Sequence, residues 1–195
     1  MIALERTAAV LLAAGYSMRF GDSNKLLASL RAKPVAAHAA GLLSRLPLLA
    51  KFAVIQAADE DDTLADLFIA DGFALIDNPC AEQGQDSSVR IGMARALDED
   101  ADAVLIFLAD MPNVTEDHLH ALAEAADPAR AAISSNGAHR SPPALIPRKI
   151  ATAILADPSR SVRSMIEPAV DVIASDRLLA DIDTKADLAL TGARS

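Results

Sequence analysis

The chain predicts an α/β protein: a three-layer α/β/α sandwich around a mostly parallel sheet. Short apolar runs of strand length alternate with helix-length segments, which is the signature of repeated strand–helix–strand units. The first and fourth of these runs, residues 7–13 and 103–108, are apolar almost without interruption, as strands buried on both faces of a parallel sheet must be. The length of 195 residues suits a single domain with one core, and that is the expected organisation.

In chain order, strands are expected at residues 7–13, 52–57, 73–76, 103–108 and 131–134, with helices between them at 34–46, 62–70, 87–97 and 116–126. Pro34 suits a helix entry, where its missing N–H costs nothing. Thr115, followed by Glu116 and Asp117, reads as an N-cap with acidic residues facing the positive helix end. After about residue 135 the pattern changes. Ser141-Pro142-Pro143 reads as a loop, followed by a strand, two short helices and a strand at 170–174, a tail expected to pack on the sheet.

Composition narrows the function. Hydrophobic residues make up 52% and the mean hydropathy is +0.24. The apolar runs nevertheless stay far below the roughly 18 residues needed to span a bilayer, so no membrane partner is expected. Residues 1–6 lack the basic start and cleavage site of a signal peptide, which predicts a cytoplasmic protein. A lone cysteine, Cys80, rules out an internal disulfide and a cysteine-rich zinc site, and it reads as a buried or idle thiol. A formal net charge of −9, with 3% aromatic residues and no Trp, argues against a nucleic-acid partner. Any phosphate contact must therefore be local.

One such place follows the first strand, in Ala14-Gly15-Tyr16-Ser17-Met18-Arg19-Phe20-Gly21, with Lys25 shortly after. Open α/β sheets bind ligands at the carboxyl ends of their strands. Small residues there let backbone N–H groups approach a polyphosphate, and Gly15 and Gly21 are expected to supply the φ > 0 backbone of an amide nest. Arg19 offers a forked grip on phosphate and Lys25 a point charge. The loop matches neither Gly-x-x-x-x-Gly-Lys-Ser/Thr nor Gly-x-Gly-x-x-Gly, and a plain strand-to-helix turn with two solvated bases is the alternative. Asp110, in Ala109-Asp110-Met111-Pro112 at the end of the fourth strand, faces the same rim and can hold Mg²⁺, which takes one or two carboxylates plus substrate phosphates. Ser87 or Ser88, within 82–90, could simply cap the following helix. His118 and His120, two apart on a helix, cannot share a metal and are expected to be solvated; His38 and His139 have no partner at ligand spacing.

The run Leu11-Leu12-Ala13-Ala14-Gly15-Tyr16-Ser17-Met18-Arg19-Phe20-Gly21, with Asn24-Lys25-Leu26-Leu27, closely resembles the signature of the MobA-like nucleotidyltransferases. Length and element order agree over nearly the whole chain. The resemblance implies a Rossmann-like, GT-A-like nucleotidyltransferase fold. Within the family the sequence is most similar to the molybdenum cofactor cytidylyltransferases, which transfer CMP from CTP to molybdopterin. Ala14 stands where guanylyl-transferring relatives usually have Gly.

Several roles come with that resemblance. Leu12, Ala13, Ala14, Gly15, Ser17, Arg19, Lys25, Gly84 and Ser88 would bind the nucleotide, with Arg19, Lys25 and Asp110 as the catalytic set and Mg²⁺ on Asp110. Asp181-Ile182-Asp183-Thr184-Lys185-Ala186-Asp187-Leu188 looks like the family's closing Asp-x-Asp-Thr-x-x-Asp-Leu, where Asp183 either approaches the metal or caps the last helix. The implied partners are CTP, the molybdopterin cofactor and an apo-molybdoenzyme recipient.

Departures mark the acceptor region: Ser141 and Ala156 replace common glycines, while Asp157 and Arg160 fit. Guanylyl or sugar-phosphate transfer, or a molybdopterin carrier without catalysis, are the rival functions. The cytidylyltransferase of isoprenoid synthesis is disfavoured, because it normally carries His-Asp-x-x-Arg-Pro where this chain has Ala109-Asp110-Met111-Pro112.

Overall fold

The structure is a computed structural model that describes residues 1–15, 20, 24–56 and 63–193. Its centre is β1 (Thr7–Leu12), buried at every position. Strand β4 (Ala50–Gln56) lies parallel to β1 on one side and β6 (Ala103–Leu108) on the other. Outward from β4 runs β5 (Ala74–Asn78), again parallel. Beyond β6 the sheet reverses: β8 (Arg140–Pro147) is antiparallel to both β6 and β7 (Ala131–Ser135), and β9 (Ala169–Ile173) closes the far edge parallel to β7. The order is β5-β4-β1-β6-β8-β7-β9, mostly parallel as expected. A two-strand hairpin, β2 (Ser29–Leu30) and β3 (Lys33–Pro34), stands apart and has no counterpart in the sequence reading.

Strand side chains alternate between faces, and the two sides collect different helices. Ala9, Leu11, Ile55 and Phe107 pack with α1 (Val35–Arg45), α2 (Thr63–Ala70) and α4 (Glu116–Ala125). Val10, Leu12, Val54 and Ile106 pack with α3 (Gln85–Asp98), α5 (Arg148–Ala156) and α6 (Val162–Met165). This is the three-layer sandwich, and each fully buried Leu or Phe in it stabilises the fold by roughly 2 kcal/mol. Helix α3 lies close on the sheet because Gly92 has no side chain: a Cβ there would meet Val10 Cγ1 at 2.3 Å and Val54 Cγ2 at 3.0 Å. A third, small cluster of Phe20, Leu30, Val35 and Ile182 ties Phe20 and the hairpin to the segment before α7 (Lys185–Gly192).

Four local expectations are corrected. Ser141-Pro142-Pro143 is not a loop but the start of β8. The ladder there jumps from Ser134 opposite Ser141 to Ile133 opposite Ala144, so the two prolines fall in an irregularity where no N–H is required. Helix α3 begins at Gln85 with Gly84 as its N-cap, so neither Ser87 nor Ser88 caps it. Thr115 occupies the N-cap of α4 but makes no side-chain capping bond. His118 is buried rather than solvated: its Nε2 lies 2.8 Å from Ser134 Oγ, whose own proton goes to the Pro143 carbonyl at 2.7 Å. Nε2 therefore carries the hydrogen, and burial holds the His118 pKa below the usual histidine range. Among the described residues no helix is long and apolar enough to cross a membrane.

Candidate active site

A cavity of about 370 Å³ opens at the carboxyl ends of β1 and β6. Leu12, Ala13, Ala14 and Gly15 form one wall, Gly84 and Ser88 another, and Lys25, Asp110 and Asp183 the floor, so all of the described site residues expected from the sequence line one hollow. Ser17, Arg19 and Gly21 lie outside the described residues.

The floor is an ion cluster. Lys25 sits in a short 3-10 turn (Lys25–Leu27) whose entry is capped by the Asn24 side chain, which accepts from Leu26 N. Its ammonium donates to Asp110 Oδ2 at 2.6 Å and to Asp183 Oδ1 at 2.9 Å. These residues are 85 and 158 positions apart in sequence, so only the fold brings them together. Asp110 lies two residues beyond the end of β6, and its carbonyl accepts from Ile182 N at 3.0 Å, which holds the Asp181–Asp183 strip against it. Thr184, not Asp183, caps α7, in a reciprocal capping box with Asp187. The capping role left open for Asp183 therefore falls away, and its side chain turns to Lys25.

Burial opposes the charge on Lys25, but Asp110 and Asp183 outweigh it and raise the ammonium pKa above its ordinary value. For Asp110 burial dominates: its carboxyl is held above the usual carboxylate range, although Lys25 pulls it back. Asp110 Oδ1 is buried and has no hydrogen-bond partner among the described residues. A buried carboxylate oxygen left open next to a second carboxylate is suited to a cation. No cluster of three or more His, Cys, Asp or Glu side chains among the described residues could hold a metal by itself. A divalent ion bound together with a nucleotide needs no such cluster, because substrate phosphates and water fill most of its shell.

The two upper walls differ from expectation in their backbone. Gly15 is not among the glycines at positive φ, which are Gly72, Gly84 and Gly137 among the described residues. A Cβ on Gly15 would meet nothing within 4 Å, so what its absence leaves open is room in the cavity. Gly84, at φ +96° and ψ −177°, does need to be glycine.

Sequence reasoning missed two amides beneath these walls. Gln56 Nε2 donates to the Ala14 carbonyl at 3.0 Å. Asn78, only 3% exposed, donates to Ser87 Oγ and Ser88 Oγ, both at 2.9 Å, and accepts from Cys80 N at 2.9 Å. The only signal was position: each ends a strand on the rim where ligands bind. Asp181, quoted with its motif but given no role, also lines the cavity.

Solved structures share this architecture. A nucleotidyl transferase from Methanothermobacter thermautotroptrophicus matches with a TM-score of 0.79 at 18% identity, covering 96% of each chain. Rv0371C from Mycobacterium tuberculosis H37Rv, in complex with manganese, matches at 0.75 and 17%, covering 97% of this chain and 99% of that one. Molybdopterin-guanine dinucleotide biosynthesis protein A from Archaeoglobus fulgidus matches at 0.67 and 17%, covering 95% and 97%. No curated protein sequence matches the chain. The fold is thus that of the α/β nucleotidyltransferases. Residues 9–175 match the MobA-like NTP transferase domain, and the chain belongs to that family.

Proposed function

We propose that this chain transfers CMP from CTP to the molybdopterin cofactor in the cytoplasm, releasing pyrophosphate, and hands the product to an apo-molybdoenzyme. The observation that carries the reading is the meeting of Lys25 and Asp110 at 2.6 Å on the rim that also bears the small-residue loop. Around the cavity Lys25 faces four acids, Glu82, Asp110, Asp181 and Asp183. Such a lining repels a bare triphosphate and favours one that brings its own divalent cation.

In this mechanism an oxygen of the acceptor's phosphate forms a bond to the α-phosphorus while the bond from that phosphorus to the bridging oxygen of the β-phosphate breaks. Pyrophosphate leaves with that electron pair. The acceptor phosphate is largely ionised at neutral pH, so no protein base is needed. Lys25 leaves its carboxylates for a phosphate oxygen and neutralises the charge that gathers on the leaving group. Arg19 grips the same phosphates, and the backbone from Ala14 to Ser17 donates to them. Asp110, with Asp183 beside it, would hold Mg²⁺, which supplies Lewis-acid neutralisation of the triphosphate when bound. Ser88 and Gly84 border the base and ribose, and the Ala14 methyl group narrows the pocket toward cytosine.

Pyrophosphate release, measured with each of the four nucleoside triphosphates, Mg²⁺ and molybdopterin, tests this. CTP is expected to give the highest rate. Release with none of the four would overturn the reading in favour of a carrier.

A further inference from the structure

Gln56 and Asn78 are Cα partners at the carboxyl ends of β4 and β5, the last rung of that ladder. Being in register, they point to the same face of the sheet, the one covered by α3. Neither lines the cavity, yet each ends on a residue that does. We infer that this pair of amides positions the two upper walls of the nucleotide site, Gln56 the phosphate-facing loop and Asn78 the base-facing serine. The inference rests on the nucleotide reading above.

Gln56 acts through peptide planarity. Its Nε2 fixes the Ala14 carbonyl at 3.0 Å, and across the trans peptide the Gly15 N–H must point the opposite way. That N–H has no acceptor among the described residues, and Gly15 borders the cavity. The grip thus orients an N–H donor for an anion instead of leaving the peptide to rotate.

Asn78 acts through hydroxyl polarity. Both of its Nδ2 hydrogens are spent on Ser87 and Ser88. The single Ser87 hydroxyl hydrogen is shared between the carbonyls of Cys80 and Gly84, at 2.9 Å and 2.8 Å. Ser88 accepts from Asn78 and has no acceptor for its own proton among the described residues. Ser88 therefore presents a donor to the cavity, and a ligand must answer with an acceptor.

Binding to purified chain separates the two roles, with Mn²⁺ present and inorganic triphosphate as a probe that lacks base and ribose. Gln56→Met, which keeps shape and loses the donor, is expected to weaken inorganic triphosphate and all four nucleoside triphosphates alike, by about tenfold. Asn78→Asp, nearly isosteric, makes both serines donate inward and inverts what Ser88 shows the ligand. It is expected to leave inorganic triphosphate within about twofold while reducing the preference for the best nucleotide over the next by about tenfold. A merely structural role would lower the melting temperature without this split. Unchanged affinities in both variants, or one pattern shared by both, would overturn the inference. Wild-type chain that binds no nucleotide would instead bring down the functional reading and this inference with it. Asn78→Ser serves as the second variant if Asn78→Asp fails to fold: it is too short to reach both serines, and the same loss of preference is expected.

Discussion

Replacing Lys25 by Met removes the ammonium that holds Asp110 at 2.6 Å and Asp183 at 2.9 Å, and leaves two carboxylates facing each other. Taking one partner from a fully buried ion pair costs about 3–5 kcal/mol. Here the side chains of Lys25, Asp110 and Asp183 are 11%, 15% and 27% exposed and the cavity admits water, so the cost falls to about 2 kcal/mol. For a chain of this length that is a fall in melting temperature of about 4–8 °C. The loss must depend on pH. Without Lys25, burial raises the folded-state pKa of Asp110 further above its unfolded value. A group raised in this way adds stability at acid pH and loses it as pH rises through the folded value, so the variant is expected to approach wild type at pH 5 and fall behind at pH 8. Millimolar Mn²⁺ at pH 8 is expected to restore the variant more than it stabilises wild type, because in wild type the ammonium already occupies the carboxylates. Thermal melts across pH, with and without Mn²⁺, read all three effects. A variant as stable as wild type at pH 8, or a loss indifferent to both pH and Mn²⁺, would refute the account of the cluster.

Asp110→Asn is expected to lose about a thousandfold in pyrophosphate release while melting near wild type, because Lys25 keeps Asp183 at 2.9 Å; the rate assay and a melt together check it. Gly92→Ala pushes a methyl into Val10 and Val54, and should cost about 1–2 kcal/mol in denaturant unfolding and weaken nucleotide binding, since α3 carries Ser88. Removing Val10 Cγ1 in a Val10→Ala background should make the glycine replacement less costly. His118, whose pKa burial lowers, contributes stability that is full above the unfolded histidine pKa and declines as pH falls toward the folded value. Replacing it by Gln should flatten the melting temperature between pH 7.5 and 5.

Much of this architecture was legible because buried strands need unbroken apolar runs and amphipathic helices need a period near 3.6. Residues 103–108 are the clearest case, matching β6 at both ends. What escaped the sequence depended on pairing that spacing cannot express. The prolines at 142 and 143 signalled a loop, yet they enter a strand where its ladder shifts. His118 looked solvated on a helix until β7 and β8 enclosed it with Ser134. In the site, the fold gathers Lys25, Asp110 and Asp183 from three distant segments, and the motifs pointed to each of them separately. Gln56 and Asn78 gave no such sign, because an amide at a strand end becomes informative only when its hydrogen bonds are seen.

The proposed function requires that one hollow take a metal–nucleotide complex between the loop after β1 and Asp110. Anomalous diffraction at the manganese edge, from crystals grown with Mn²⁺ and a non-hydrolysable CTP analogue, locates both components at once. A peak is expected within coordination distance of an Asp110 carboxylate oxygen, with the analogue's phosphates against Gly15 and Lys25. A peak bound elsewhere, or an analogue seated away from that rim, would contradict it.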